Sequence, residues 1–414
     1  MNSDSRIALA YGFLGSNLGD VAITTGALAL LREAGAQGTI KVISRGLNTR
    51  LTRGSWERVL NYDSDIVAHA WDHTLGCFRS SEAPTEAFVR ALIDTPEVRR
   101  QILESAGLND VERVYYSGGE NLYSYGGARD DWNLLGRLVP ILAARAEGLR
   151  TGFLPCTFGP FDSEMSRSLI TEAVSGADFV MARDARSRDQ LPAPVEATPG
   201  ADCAFFTPSA MDSQSPPSRW GKRIAMVPRL EGTGLRLGPE ASRAYLDTVE
   251  ISDSSAFKLY YSIGRRLLAS GRFIRLLTQC DADVKLNQAL FKALEPHAES
   301  DNQLKLTRPA NLKAYHRILA TCGSVVTSRL HTAIFALQNG VVPLALYYET
   351  HGHKTPGVLS LLDIERFCLP AESFTADMLL PLLSEARRSG EEAAASLQAL
   401  RAGTVETVRA GGFG

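Results

Sequence analysis

The chain has 414 residues and a formal net charge of −2, and this length suits two domains of roughly 200 residues better than one core. Hydrophobic residues make up 44% and charged residues 22% of the chain, which argues against a disordered or membrane-embedded protein. No long run of Lys and Arg provides the basic face that nucleic acid requires. The six cysteines form no C-x-x-C pair, and we interpret them as reduced thiols of a cytoplasmic protein.

Short apolar segments alternate with helical patterns through the first half of the chain. It opens with a strand over Arg6–Gly15 and a helix over Val21–Glu33. The further predicted strands are Gly38–Ile43, Arg113–Tyr116, Arg150–Pro155 and Ala177–Ala182, and the helices are Pro84–Ala106, Trp132–Glu147 and Ser163–Gly176. Such alternation indicates a parallel sheet with helices on both faces.

A Ser- and Pro-rich segment at 207–222 divides this half from a second half that repeats the pattern. Its predicted strands are Arg223–Val227, Phe273–Thr278, Ser324–Thr327 and Pro343–Leu346, and its helices are a long one ending near Gly271, then Val284–Leu294, Leu312–Ala320 and His331–Asn339. We expect an α/β protein of two Rossmann-like, doubly wound domains facing a cleft. The predicted bounds are 1–206, a linker at 207–222, 223–385, and a helix at 386–414 that packs back on the body.

Ligands of open α/β sheets bind beyond the carboxyl ends of the strands, so the loops that follow strands are the first candidates for a site. The first such loop, at 12–20, places Asn17 and Asp20 where a strand gives way to a helix. Backbone N–H groups and the helix dipole there suit an anion or sugar hydroxyls. Asn17 or Asp20 serving only as a helix cap is the alternative.

Two further loops follow predicted strands of the first half. Gly118 and Gly119 precede Glu120, and their lack of Cβ atoms lets backbone approach a ligand closely. Arg183 and Asp184 end another strand, either as a surface ion pair or as part of a ligand site.

The most informative loop follows the apolar strand Ser324–Thr327 and places Arg329 and His331 at the start of a helix. Free N–H groups and a side-chain cation both favour an anion at such a position. A histidine two residues from an arginine at a strand-to-helix junction is a functional candidate.

These loops, in this order, resemble the polysaccharide pyruvyltransferase family over residues 7–365. The matching motifs are Asn17-Leu18-Gly19-Asp20, Gly118-Gly119, Gly159-Pro160-Phe161, Ala182-Arg183-Asp184 with Ser187, Arg329-Leu330-His331 with Ala333, and Val342-Pro343. The resemblance implies a GT-B-like arrangement of two Rossmann-type domains, phosphoenolpyruvate in the cleft between them, and no required metal or other cofactor.

Residue by residue, the resemblance places the family's anion-binding arginines on Arg183 and Arg329 and its histidine on His331. It places the family's lysine on Lys354. Glu120 stands where the family has a third glycine, and the segment 347–353 is longer than usual. Both departures fall where we expect the acceptor.

The residue types permit ketal formation from phosphoenolpyruvate. Arg183, Arg329 and Lys354 can bind its phosphate and carboxylate, together with Asn17, Gly118 and Gly119 in the family's glycine loops. His331 is the preferred acid because an ordinary histidine, with a pKa of about 6.5, matches neutral pH better than a lysine. Asp20 and Glu120 are candidate bases, with capping and turn roles as alternatives.

The sequence therefore predicts a cytoplasmic transferase that moves a pyruvyl group from phosphoenolpyruvate onto a sugar or glycan precursor in cell-envelope or exopolysaccharide biosynthesis. A lipid-linked acceptor would bring it to the membrane surface. A GT-B-type glycosyltransferase using a nucleotide sugar is the main alternative, since helix N-termini also suit a diphosphate. A non-catalytic sugar-phosphate binding protein is the other.

Overall fold

The computed structural model describes residues 6–12, 17–45, 66–71, 82–208, 221–233 and 238–414. The chain divides into two compact units. The first comprises Met1–Gly15, Asp20–Thr207 and Leu400–Gly414, and the second comprises Ser16–Gly19 and Pro208–Ala399. Most of the predicted linker, at 209–220, and Cys77 lie outside the described residues.

The first unit is built on a parallel sheet. Its strands are β1 (Ile7–Gly12), β2 (Ile40–Arg45), β3 (Ile66–Trp71), β4 (Arg113–Tyr116), β5 (Gly119–Ser124), β6 (Arg150–Phe161), β7 (Phe179–Ala182) and β8 (Thr198–Pro199). They follow the order β3-β2-β1-β4-β6-β7-β8, and β5 pairs with β6. The chain turns back at β1 and continues on the other side of it with β4, which is the doubly wound pattern.

Helices cover this sheet and bury an apolar core against it. They are α1 (Leu18–Ala34), α2 (Glu86–Asp94), α3 (Pro96–Ser105), α4 (Ala128–Ala146), α5 (Glu164–Val174) and α6 (Ala185–Asp189). The single helix predicted over Pro84–Ala106 is wrong, because the chain breaks into α2 and α3 at Thr95. The helical conformation is disfavoured at a residue that precedes a proline, and Thr95 precedes Pro96 and is extended. Pro96 takes the first position of α3.

The second unit has a six-stranded parallel sheet. Its strands are β9 (Arg223–Val227), β10 (Phe273–Leu277), β11 (Leu304–Thr307), β12 (Ser324–Thr327), β13 (Leu344–Tyr347) and β14 (Cys368–Pro370), in the order β11-β10-β9-β12-β13-β14. Its helices are α7 (Gly238–Thr248), α8 (Ser255–Ala269), α9 (Val284–Leu294), α10 (Leu312–Leu319), α11 (Leu330–Gln338), α12 (Lys354–Ser360), α13 (Leu379–Arg388) and α14 (Gly390–Phe413). The strand order is that of a Rossmann domain, with the switch point between β9 and β12.

The predicted fold class of two Rossmann-like, doubly wound α/β domains is confirmed by these sheets. Five strands, β3, β5, β8, β11 and β14, lie where the sequence analysis predicted none. Glu120 lies in β5, the edge strand β11 exposes Lys305 and Leu306, and β14 has only three residues. Short or two-faced strands of this kind lack the continuous apolar run that identifies a buried parallel strand.

The last turns of α14 pack on the first unit. Gly412 O accepts hydrogen bonds from Arg113 Nε at 3.0 Å and Tyr115 Oη at 3.1 Å. The Ala201 backbone N–H donates to Oγ1 of the fully buried Thr404 at 2.8 Å. The segment 400–414 is therefore a structural part of the first unit.

Two class-level features hold for the part of the chain that the structure describes. None of its helices combines the length and apolar character needed to cross a membrane. Its five cysteines, Cys156, Cys203, Cys280, Cys322 and Cys368, form no disulfide with one another.

We expect Thr404→Val to lower the free energy of unfolding by about 1–3 kcal/mol, because it leaves the buried N–H of Ala201 without an acceptor while preserving shape. Urea unfolding measures the change. The same substitution at the more exposed Thr407, one turn along α14, is the control and should stay within about 0.5 kcal/mol. Equal effects at the two positions would contradict a stabilising role for the Ala201 bond.

Candidate functional site

Polar and charged side chains of the second unit gather at the carboxyl edge of its sheet. Arg229 follows β9, Gln279 follows β10, Arg329 follows β12, and His351 and Lys354 follow β13. Because these strands are parallel neighbours, their carboxyl ends meet at one edge. Arg229 and Arg329 flank the switch point between β9 and β12, where ligands of such sheets bind.

Arg329 is held by a buried carboxylate. Its Nη2 donates to Asp283, which is 1% exposed, and lies 3.0 Å from Cys280 Sγ. Burial alone would lower the pKa of Arg329, but the Asp283 carboxylate outweighs it and raises that pKa, so the guanidinium stays charged. Its own N–H donates to Thr327 Oγ1 at 2.9 Å, which fixes the start of α11. The result is a permanent, oriented cation.

His331 is the second residue of α11, and its ring packs against Gly19. A Cβ atom at Gly19 would overlap Nδ1 of His331. Gly19 belongs to the second unit with Asn17, and the Asn17 side chain accepts from the Gly19 N–H at 3.1 Å. The glycine of the N-x-G-D motif is therefore required by the histidine of the R-L-H motif.

A chain of hydrogen bonds in the second unit supports the contact between Gly19 and His331. Gln279 Nε2 donates to Asn17 Oδ1 at 3.1 Å, and Gln279 Oε1 accepts from Thr332 Oγ1 at 2.9 Å. Thr332 Oγ1 also lies 2.7 Å from the hydroxyl of Tyr315. Thr332 and Tyr315 are fully buried and Gln279 is 3% exposed. This network joins the loop after β10 to α11 next to His331.

His351 is a candidate that the sequence analysis missed. It is 5% exposed, and its Nε2 lies 2.9 Å from the carbonyl oxygen of Leu230. Burial lowers its pKa well below the usual 6.5, and the positive charges of Arg229, Arg329 and Lys354 lower it further. The imidazole is therefore neutral, and three positively charged side chains act on it.

Arg229 was also missed. It is 9% exposed, and its guanidinium donates to both the Oγ1 and the carbonyl oxygen of Thr233, which orients it in the loop after β9. The Arg329 and Arg229 charges both act on Cys280, whose pKa is nevertheless raised to about 11 by burial. In the sequence, Arg229 is marked only by its position two residues beyond the buried strand β9, next to the switch point.

In the first unit, Arg183 is 1% exposed and pairs with Asp202 at 2.5 Å. Its Nε donates to Thr157 Oγ1 at 2.8 Å. Burial would lower the pKa of Arg183, but Asp202 and Glu120 raise it. Of the two alternatives for Arg183, the surface pair with Asp184 is wrong, because Arg183 is buried and pairs with Asp202. Its role in binding a ligand stays a prediction.

The neighbouring Asp184 caps α6. Its carboxylate accepts from the Ser187 N–H at 2.9 Å and from the Ser187 hydroxyl at 2.7 Å. Ser187 Oγ in turn accepts from the Phe158 N–H at 3.0 Å. The R-D-x-x-S motif thus has a folding role in joining β6, β7 and α6.

Gly118 lies between β4 and β5, and Gly119 is the first residue of β5. A Cβ at Gly118 would lie 2.6 Å from the Pro155 carbonyl oxygen and 2.9 Å from Cys203 Sγ, so the close approach is to the chain itself. Gly119 has φ of +116°, a conformation that favours glycine. Glu120 follows in β5, and its charge acts on Arg183.

The structure groups the predicted residues by unit. Asn17, Arg329, His331 and Lys354 belong to the second unit, and Asp20, in the first turn of α1, belongs to the first with Gly118, Gly119, Glu120 and Arg183. Within the described residues no three His, Cys, Asp or Glu side chains are arranged to hold a metal ion.

Comparisons with known proteins give a family from one search and a fold from another. The family model described as polysaccharide pyruvyl transferase matches residues 17–350. The Neisseria meningitidis UDP-GlcNAc 2-epimerase, solved with UDP-GlcNAc bound, is similar with a TM-score of 0.53 and 10% identity, covering 97% of this chain and 99% of that one. Another UDP-N-acetylglucosamine 2-epimerase has a TM-score of 0.52 and 12% identity, covering 96% and 91%. No curated protein matches this chain in sequence.

We expect Gly19→Ala to destabilise the protein by about 1–3 kcal/mol, because the new methyl group must displace the His331 ring. Denaturant unfolding measures the change. Gly403→Ala is the control: Gly403 lies in α14 with open space where its Cβ would be, so alanine should stabilise by about 0.5–1 kcal/mol. A Gly19→Ala protein as stable as the wild type would contradict the close packing on His331.

Proposed function

Because this chain belongs to the polysaccharide pyruvyl transferase family, we propose that it transfers the pyruvyl group of phosphoenolpyruvate to two hydroxyls of a sugar or glycan precursor and releases phosphate. The family assignment makes it an enzyme of the pyruvyltransferase type. The donor, the acceptor and the roles of individual residues are the proposal. We place the reaction in the cytoplasm, at the membrane surface where the acceptor is lipid-linked.

The observation that carries the proposal is the group of cations at the switch point of the second sheet. Phosphoenolpyruvate carries a phosphate and a carboxylate on a three-carbon unit, so its site needs several fixed positive charges close together. Arg329 is kept charged by Asp283, and Lys354 and Arg229 both act electrostatically on the same buried His351. Each charge-assisted hydrogen bond to such an anion contributes about 1.5–3 kcal/mol.

His331 is the proposed acid. It donates a proton to the CH2 carbon of the enol, which leaves a cationic carbon that bears the carboxylate and the phosphate ester oxygen. A sugar hydroxyl attacks this carbon, and its proton restores His331. The second hydroxyl then displaces phosphate, which leaves with the remaining proton. Two hydroxyl protons are thus accounted for, one in the new methyl group and one on phosphate, and no metal or other cofactor takes part.

Asp20 and Glu120 are the proposed bases that assist the two hydroxyls. Asp20 is at the first turn of α1, and Glu120 lies in β5 within electrostatic range of Arg183. Arg183 is proposed to bind the negative charge of the donor, and its orientation is fixed by Asp202 at Nη1 and by Thr157 at Nε. Asn17 is proposed to position Gly19 against His331.

A nucleotide-sugar transferase is the second candidate, and the likeness in fold to an epimerase solved with UDP-GlcNAc favours testing it. A nucleotide sugar requires contacts to a ribose and a base in addition to a diphosphate. Glu349 is the carboxylate most suited to ribose hydroxyls in the second unit, since it is exposed at the start of a single turn after β13.

We expect phosphoenolpyruvate to raise the unfolding temperature more than UDP-, GDP- or CDP-sugars at equal concentration. A ligand at 100 times its dissociation constant stabilises the folded state by about 2.7 kcal/mol. Differential scanning fluorimetry with each ligand gives the comparison, and phosphate release in the presence of candidate glycans then identifies the acceptor. Stabilisation by a nucleotide sugar and none by phosphoenolpyruvate would reject the proposed donor.

We expect His331→Asn to reduce the rate of phosphate release by about 10²- to 10⁴-fold, the usual contribution of a general acid, while phosphoenolpyruvate affinity changes less than about tenfold. Steady-state kinetics and calorimetry separate the two quantities. The control is His297→Asn, since His297 is exposed and bonds to Tyr261 at 3.1 Å. Normal turnover in the His331 variant would remove its assignment as the acid.

A further inference from the structure

Two buried polar atoms of the cation group have no hydrogen-bond partner among the described residues. They are Nδ1 of His351 and Nε of Arg329. The two residues are 5% and 8% exposed, so water is largely excluded from both. A buried polar group without a partner costs about 1–3 kcal/mol, so two such atoms on side chains that interact electrostatically suit a polar ligand.

The side chains that carry these two atoms interact with the same group of residues. The single turn that carries His351 is tied to the loop after β9 by two bonds, one between His351 Nε2 and the Leu230 carbonyl and one from Thr350 Oγ1 to the Glu231 carbonyl. These bonds place His351 beside Arg229, the residue before Leu230. The Arg329 charge also acts on His351, as does Lys354 at the start of α12.

Positive charge exceeds negative charge around His351. The side-chain charges with the largest effect on its pKa are those of Arg229, Arg329 and Lys354, and the carboxylate bonded to this group is Asp283. The carboxylates of Glu231 and Glu372 act on the adjacent Tyr348, and Glu231 accepts hydrogen bonds from the backbone N–H groups of Ser255 and Ala256. The adjacent Tyr348 ring stacks edge-on at 5.2 Å, and burial raises the pKa of its hydroxyl, so it adds no charge. Arg229 and Arg329 are buried and Lys354 is half-buried, and a bound anion stabilises such a cluster of cations.

We infer that Arg229, Arg329, Lys354 and His351 form a binding site for a dianionic phosphate group, and that His351 takes up a proton at Nδ1 when the anion binds. The inference rests on the proposed function for the identity of the donor, and it adds two residues and a proton to that site. Nε2 already bonds to the Leu230 carbonyl in the neutral ring, so Nδ1 holds a lone pair. Protonation converts it to a donor toward a phosphate oxygen.

The direction of the pH dependence follows from linkage. In the free protein the pKa of His351 lies well below 6.5, and a bound dianion raises it because opposite charges favour the charged form. Proton uptake is largest between the free and bound pKa values. Across that window the anion affinity falls as pH rises, by up to tenfold for each pH unit.

Sulfate is the probe, because it is a dianion that does not itself titrate near neutral pH. Calorimetry of sulfate binding in buffers of different ionisation enthalpy should detect uptake approaching one proton per anion within the window. His351→Gln can still donate to the Leu230 carbonyl but cannot titrate, so its binding should show no uptake and no pH dependence. Wild-type binding without proton uptake, or uptake that persists in His351→Gln, would overturn the role of His351.

Arg229→Gln should weaken sulfate and phosphoenolpyruvate binding by about 10- to 100-fold, and Arg229→Lys should recover part of the loss. The matched control is Arg308→Gln. Arg308 follows β11 at the same edge of the sheet, but it is exposed and pairs with Asp281, so its loss should change affinity less than about twofold. Equal effects of the Arg229 and Arg308 changes would show a general charge effect and overturn the site.

The outcomes also separate this inference from the proposed function. Anion binding that depends on Arg229, in a protein that releases no phosphate from phosphoenolpyruvate with any glycan, would support the site and reject the reaction. Pyruvyl transfer at an unchanged KM for phosphoenolpyruvate in both Arg229→Gln and His351→Gln would support the reaction and reject the site.

Discussion

The cation group at the carboxyl edge of the second unit's sheet depends on the ion pair between Arg329 and Asp283. Asp283 lies at the start of α9 and is almost fully buried, and it keeps a guanidinium charged at the end of β12 where burial alone would penalise that charge. A buried pair of this kind adds little net stability compared with apolar packing. Its value here is that it fixes a positive charge at the switch point of the sheet. Loss of Asp283 would leave that charge unopposed beside two other cations.

The first unit contains a similar pair with a different outcome. Arg183 follows β7 and pairs with Asp202, but its Nε is also bonded to Thr157 and its side chain is 1% exposed. Arg329 keeps a buried Nε that has no partner among the residues described. The two arginines, each in a motif that resembles the family, therefore differ at Nε: that of Arg183 is bonded within the protein, and that of Arg329 is available to a ligand. The difference lies in the surrounding loops and could not be deduced from the motifs themselves.

How much the sequence predicted follows from the range of each interaction. The strands Arg113–Tyr116, Arg223–Val227 and Ser324–Thr327 and the helix Val284–Leu294 have the predicted bounds, because apolar runs and helical spacing are local signals. Lys305 interrupts the pattern of β11, which concealed that strand. Arg329 and His331 could be found because a strand-to-helix junction is also local. His351 could not, because its environment depends on Leu230, which is 121 positions away in sequence.

The position of residues 400–414 in the first unit has a consequence for folding during synthesis. These residues contribute Thr404 and Gly412 to the first unit, where they bond to Ala201, Arg113 and Tyr115. Residues 400–414 are synthesised after all of residues 208–399. The first unit therefore cannot complete its buried structure until the whole second unit has been synthesised. Domains usually fold from the N-terminus onward during synthesis. In this protein the first unit must wait, partly assembled, until the second has emerged, and a fragment that stops at Thr207 would lack a buried part of its own structure.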